Sequence, residues 1–82
     1  MPPAHLTLTQ FILRSEVLKL YRSMLRVTYR IDDVEQRKNL QQWIRTDFEN
    51  NRHHSDEEAI RMMLSKGKLS LRELEQAVGL AQ

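Results

Sequence analysis

The sequence predicts an all-α fold, an antiparallel three-helix bundle running up-down-up. Three observations predict it. Apolar residues recur three and four apart in three separate stretches of the 82-residue chain. Glycine and proline, two of each, barely interrupt those stretches. Two polar clusters, Asp32-Asp33 and Asn50-Asn51-Arg52-His53-His54, separate them, and connections this short turn neighbouring helices antiparallel.

Pro2-Pro3 marks a short extended leader over residues 1–7, and a single helical domain fills 8–80. Thr7 or Thr9 caps the first helix by accepting a bond from an otherwise free backbone N–H. That helix runs to about Arg30, with Phe11, Val17, Leu18, Leu20, Tyr21, Met24, Leu25 and Tyr29 as its apolar residues. Their arc is wider than a single stripe, so the first helix packs against more than one neighbour and forms the centre of the bundle. Asp32-Asp33 ends it and caps the second helix, Val34 to Asn51, whose apolar positions are Leu40, Trp43, Ile44 and Phe48. Ser55 followed by Glu58 reads as a capping box for the third helix. Gly67 falls inside that helix at a cost of about 1 kcal/mol relative to alanine. Yet Ile60, Leu64, Gly67, Leu71, Leu74 and Val78 keep one phase straight through it, which predicts one continuous helix from Asp56 to about Leu80.

Composition excludes several functions. Without cysteine there is no disulfide, thiolate metal site or thiol nucleophile. No apolar run approaches the ~20 residues that span a bilayer. The net charge of +2 is too small to argue for nucleic acid by itself. His53 and His54 are adjacent, with Asp56 and Glu57 nearby, but a loop offers no fixed ligand geometry, and no metal site is expected. No catalytic triad, phosphate loop or paired-carboxylate site stands out, so no enzyme is expected.

The cations are better placed. Arg14, Lys19, Arg22, Arg26 and Arg30 face a lone anion, Glu16, before Asp32. This acid-poor amphipathic start resembles a mitochondrial import signal; its alternative is a solvated helix face. Lys38, Arg45 and Arg52 recur every seven residues on the second helix, with Phe48 on the same side. If the first two helices are neighbours, this stripe and Lys19, Arg22 and Arg26 border one groove, cationic at the rim and aromatic at its edge; the alternative is a pair of solvated faces that Asp47 and Glu49 partly neutralise. Arg22 can lay its stem along the core and project its guanidinium outward. The core itself is soft. Met24, Met62 and Met63 are adaptable, and Gly67 stands at a buried position. Two readings stay open for Gly67: close approach of two helices, or room for an apolar chain between them.

The order Val17-Leu18-x-Leu20-Tyr21-Arg22-x-x-Leu25-Arg26, then Trp43-Ile44-Arg45-x-x-Phe48-x-x-Asn51, Ile60-Arg61-Met62-Met63 and Leu71-x-x-Leu74 resembles the LYR-motif family of small mitochondrial proteins. The resemblance covers Leu6 to Leu80. It implies a three-helix bundle in the mitochondrial matrix that binds acyl carrier protein and serves respiratory-complex assembly, complex I first. In that family the carrier brings an acyl chain on 4′-phosphopantetheine, and the chain enters the bundle. No cofactor of the chain's own is implied. Tyr21, Arg22 and Phe48 match the family's defining positions, and Arg45 a frequent basic one. Lys38 and Arg52 extend that set along the helical stripe. Leu18, Leu25, Ile44, Met63 and Gly67 are the expected lining of the acyl chain. The chain departs from the family's common pattern at Glu49, where relatives often carry Arg. The motif has also been linked to iron–sulfur delivery, but a chain without cysteine lacks the thiolates that hold a cluster. The alternatives from other classes are a basic helical module binding nucleic acid and a self-associating structural bundle. Salt-dependent nucleic-acid binding would mark the first and concentration-dependent sedimentation the second.

Overall fold

The computed structural model describes residues 7–52 and 56–81. They form three helices: α1 Leu8–Thr28, α2 Val34–Asn51 and α3 Glu57–Ala81. Residues 1–6 of the leader, His53, His54 and Ser55 lie outside the described residues. So does half of the expected Ser55–Glu58 cap. Beside it, Asp56 accepts the Glu58 N–H through Oδ1 at 3.1 Å.

Local chemistry sets the ends. Thr7 is the N-cap of α1 and forms a reciprocal box with Gln10. Its hydroxyl accepts the Gln10 N–H at 3.1 Å, and the Gln10 side chain accepts the Thr7 N–H at 3.0 Å. The last turn of α1 tightens to i→i−3 bonds from Tyr29, Arg30 and Ile31, so the helix stops two residues short of Arg30. Asp33 then caps α2 by accepting the Gln36 N–H at 3.1 Å, and Arg37 donates back to the Ile31 carbonyl at 3.0 Å.

Register fixes direction. Between α1 and α2, Thr28 bonds Gln41 while Tyr21 meets Phe48, so numbering rises on one helix as it falls on the other. Between α1 and α3, Thr7 bonds Glu57, Leu20 faces Gly67, and Arg30 and Ile31 share a cleft with Val78. That pair is parallel, and the order is up-down-up, in a body of 45 × 19 × 19 Å. α1 is the centre: α2 and α3 both pack on it, and among the described residues their backbones do not approach each other.

The core is Leu13, Leu20 and Met24 from α1, Ile44 from α2, and Ile60 and Leu64 from α3, with Val78 buried further along. This bears out Leu20 and Met24 of the expected apolar set of α1 and corrects part of the rest. Its buried line is Leu13, Leu20, Met24 and Thr28, while Phe11, Leu18 and Tyr29 are exposed, Tyr29 at 71%. Thr28 escaped the apolar pattern because it is polar. It is fully buried, donating from Oγ1 to the Leu25 carbonyl and accepting from Gln41 Nε2 at 2.8 Å, which pins α1 to α2. Trp43 is also outside the core at 58% exposure. The phase expected through Gly67 holds: Ile60, Leu64 and Val78 are buried, and Gly67, Leu71 and Leu74 half-buried, on one unbroken helix. Of the two readings of Gly67, close approach is the one observed. A Cβ added there would run into Leu20 Cδ2, so the missing side chain is the seat of Leu20.

Candidate functional site

A groove of ≈ 600 Å³ runs between α1 and α2, lined by Val17, Leu18 and Tyr21 on one side and by Gln42, Arg45, Thr46, Phe48, Glu49, Asn50 and Arg52 on the other. The heptad spacing of Arg45 and Arg52 puts both cations along one edge, as the stripe on the second helix requires. Phe48 is half-buried. Its ring meets Tyr21 edge to face, with centroids 5.1 Å apart at 62°, a contact of about 0.5–1.5 kcal/mol that closes the floor. The groove therefore has an apolar bottom and a cationic lip. Glu49 stands on the same lip, and its carboxylate lies 3.2 Å from Arg52 Nη1 in an exposed pair.

Two smaller spaces continue inward. One of ≈ 230 Å³ shares Val17, Leu18 and Arg52 with the groove and adds Arg14, Asn51, Ile60 and Met63. The next, of ≈ 50 Å³, shares Asn51 and Met63 with that one and reaches Leu20, Met24 and Gly67. Phe48 borders both the first and the third and so partitions them. The three spaces thus lie side by side, from the charged surface, near the C-terminal end of α2, to the middle of α1 and α3. Residues of both α2 and α3 wall the smallest space, Trp43, Asp47, Phe48 and Asn51 from one and Met63, Gly67 and Ser70 from the other.

Tyr21, Arg45, Phe48 and Arg52 are brought together in the groove, and Leu18 joins them half-exposed. Met63 and Gly67 line the inner spaces. Arg22 and Lys38 are exposed beyond the lining, and so are Lys19, which pairs with Glu16, and Arg26. Leu25 is half-buried against the core, and Ile44 is wholly enclosed; neither borders these three spaces. Sequence reasoning missed Val17 and Gln42 as lining residues. Val17 was legible, four residues before Tyr21 on the same face; Gln42 carries no apolar or charge signal. Among the described residues, no three His, Asp or Glu side chains cluster as metal ligands, and no helix is long and apolar enough to cross a membrane.

Comparison with known proteins agrees along the whole chain. LYR motif-containing protein 2 of Xenopus laevis is 48% identical over 82 residues, which is all of this chain and 94% of the relative. The protein of the same name from Rattus norvegicus is 45% identical and that from Homo sapiens 42%, each over the full chain and 93% of the relative. No solved structure matches. The pattern of the family described as Complex 1 protein (LYR family) matches residues 15–73, which takes in the Leu20-Tyr21-Arg22 tripeptide, the whole groove and Gly67. This chain belongs to the LYR family.

Proposed function

We propose that this protein is a mitochondrial matrix adaptor that binds acylated acyl carrier protein, takes the acyl chain into its helices, and supports assembly of a respiratory-chain complex, complex I first. The observation that supports the reading is an apolar-floored, Arg45- and Arg52-rimmed groove beside two smaller spaces that share lining residues with it and with each other. Carboxylates on a carrier would meet those guanidiniums through charge-assisted bonds, which set orientation and rate more than affinity. An acyl chain on 4′-phosphopantetheine would lie on Val17, Leu18 and Phe48 and then pass Met63. Each methylene buried contributes about 0.8 kcal/mol before losses. Binding of this kind stabilises a small bundle, because the ligand meets only the folded state. Membership of the LYR family, described as Complex 1 protein, supports the respiratory setting.

Copurification from mitochondria, with intact mass of the captured partner, tests the reading. An acidic carrier bearing an acyl group is the expected companion. Arg45→Glu should diminish its capture with helicity unchanged by circular dichroism. Capture of no carrier, or undiminished capture by Arg45→Glu, would defeat the proposal. Arg22→Glu should weaken binding less, since Arg22 stands outside the groove lining.

A further inference from the structure

The three adjoining spaces diminish in volume, from ≈ 600 to ≈ 230 to ≈ 50 Å³. The last is bordered by Leu20, itself only 6% exposed. Leu20 is held there by what faces it. Gly67 presents no side chain, and Leu20 Cδ2 occupies the place where its Cβ would stand. The obstruction is thus one isobutyl group seated against the backbone of α3. Its far end is flexible, but its seat is fixed by the close approach of two helices.

We infer that Leu20, seated on Gly67, is the stop that sets the length of acyl chain this protein accepts. The inference rests on the acyl-carrier reading above. A chain entering between Arg45 and Arg52 advances past Leu18 and Met63 and ends against Leu20 and Met24. Methylenes beyond that point gain no apolar surroundings and stay in water. Selectivity then follows from one contact with two adjustable sides. Trimming Leu20 lengthens the path up to the α3 backbone. Adding a methyl at Gly67 pushes Leu20 into the space and shortens it.

The test measures affinity by calorimetry for carrier loaded with a saturated series from hexanoyl to stearoyl. For the native chain, affinity should rise about fourfold per methylene and then level off. Leu20→Ala should move the plateau about two methylenes longer, the room its truncation leaves. Gly67→Ala should move it shorter. Leu13→Ala is the control: Leu13 is equally a core leucine but borders none of the three spaces, so the plateau should stay. Should Leu20→Ala fail to fold, Leu20→Val and Gly67→Ala still give opposite displacements. A native plateau that neither Leu20 nor Gly67 variants displace overturns the stop and leaves the carrier reading standing. Equal affinity for acylated and unacylated carrier, or no affinity for either, overturns both.

Discussion

Glu49 sits four residues after Arg45 and three before Arg52, on the lip of the groove, and holds Arg52 at 3.2 Å. A carrier carboxylate must compete with it. Glu49→Arg should therefore tighten carrier binding by about 0.5–1 kcal/mol, the scale of an exposed pair, or roughly twofold to fivefold. The gain should lie in the association rate and vanish at high salt; a gain in dissociation rate alone at any salt would count against the lip. Thr28 acts in the interior instead. Thr28→Val keeps the shape but leaves the Gln41 amide without its partner, at about 1–2 kcal/mol. The melting temperature should fall by about 5–15 °C, and Thr28→Ser should recover part of it. These two residues also mark what a sequence discloses at this scale. Arg45, Phe48 and Arg52 were legible because charge and aromaticity repeat at helical spacing on one side. Thr28 was not, because a buried hydroxyl looks like a surface one until its partner on another helix is known. Trp43 erred the other way: its size argued for burial, but it stands at the flank of α2, mostly exposed, at the border of the smallest space.

At the scale of the element, caps decide where helices start. The Thr7–Gln10 box satisfies the first turn of α1, and the Thr7 hydroxyl also donates to Glu57 Oε1 at 3.3 Å, so one residue anchors two helix beginnings. Thr7→Ala should cost about 1 kcal/mol, read as a lower urea midpoint with an unchanged slope. Thr7→Asp should retain most of the cap; equal losses in both variants would place the effect in the Glu57 contact. Helix boundaries were readable from the chain because caps are local chemistry: Asp33 and Thr7 stand where their side chains reach backbone donors three residues on. The rotation of α1 about its own axis was less readable. Phe11, Leu18, Leu25 and Tyr29 make as good a stripe on paper as Leu13, Leu20, Met24 and Thr28. Only the positions of α2 and α3 choose between them, and that information is tertiary.

For the whole molecule, α2 and α3 both pack on α1, and their side chains meet in one shared core while their backbones stay apart. The central role of α1 was legible from its wide apolar arc, and the register of α3 from the phase carried through Gly67. The two smaller spaces were not, because they depend on how α2 and α3 sit around α1. α2 contributes one wholly enclosed residue, Ile44, whereas α3 supplies Ile60, Leu64 and Val78. The bundle is thus a firm parallel pair with a lighter third member leaning on one side. Such a molecule should not loosen all at once. The amides of α2 should exchange with solvent deuterium well before those of α1 and α3, since few apolar contacts hold them; simultaneous exchange of all three would contradict this. A guest lodged beneath Phe48 would then slow exchange in α2 far more than elsewhere. Occupancy of the interior would become visible on the outside as the clasping of a single arm, and any later companion that touches α2 would sense whether the bundle is full.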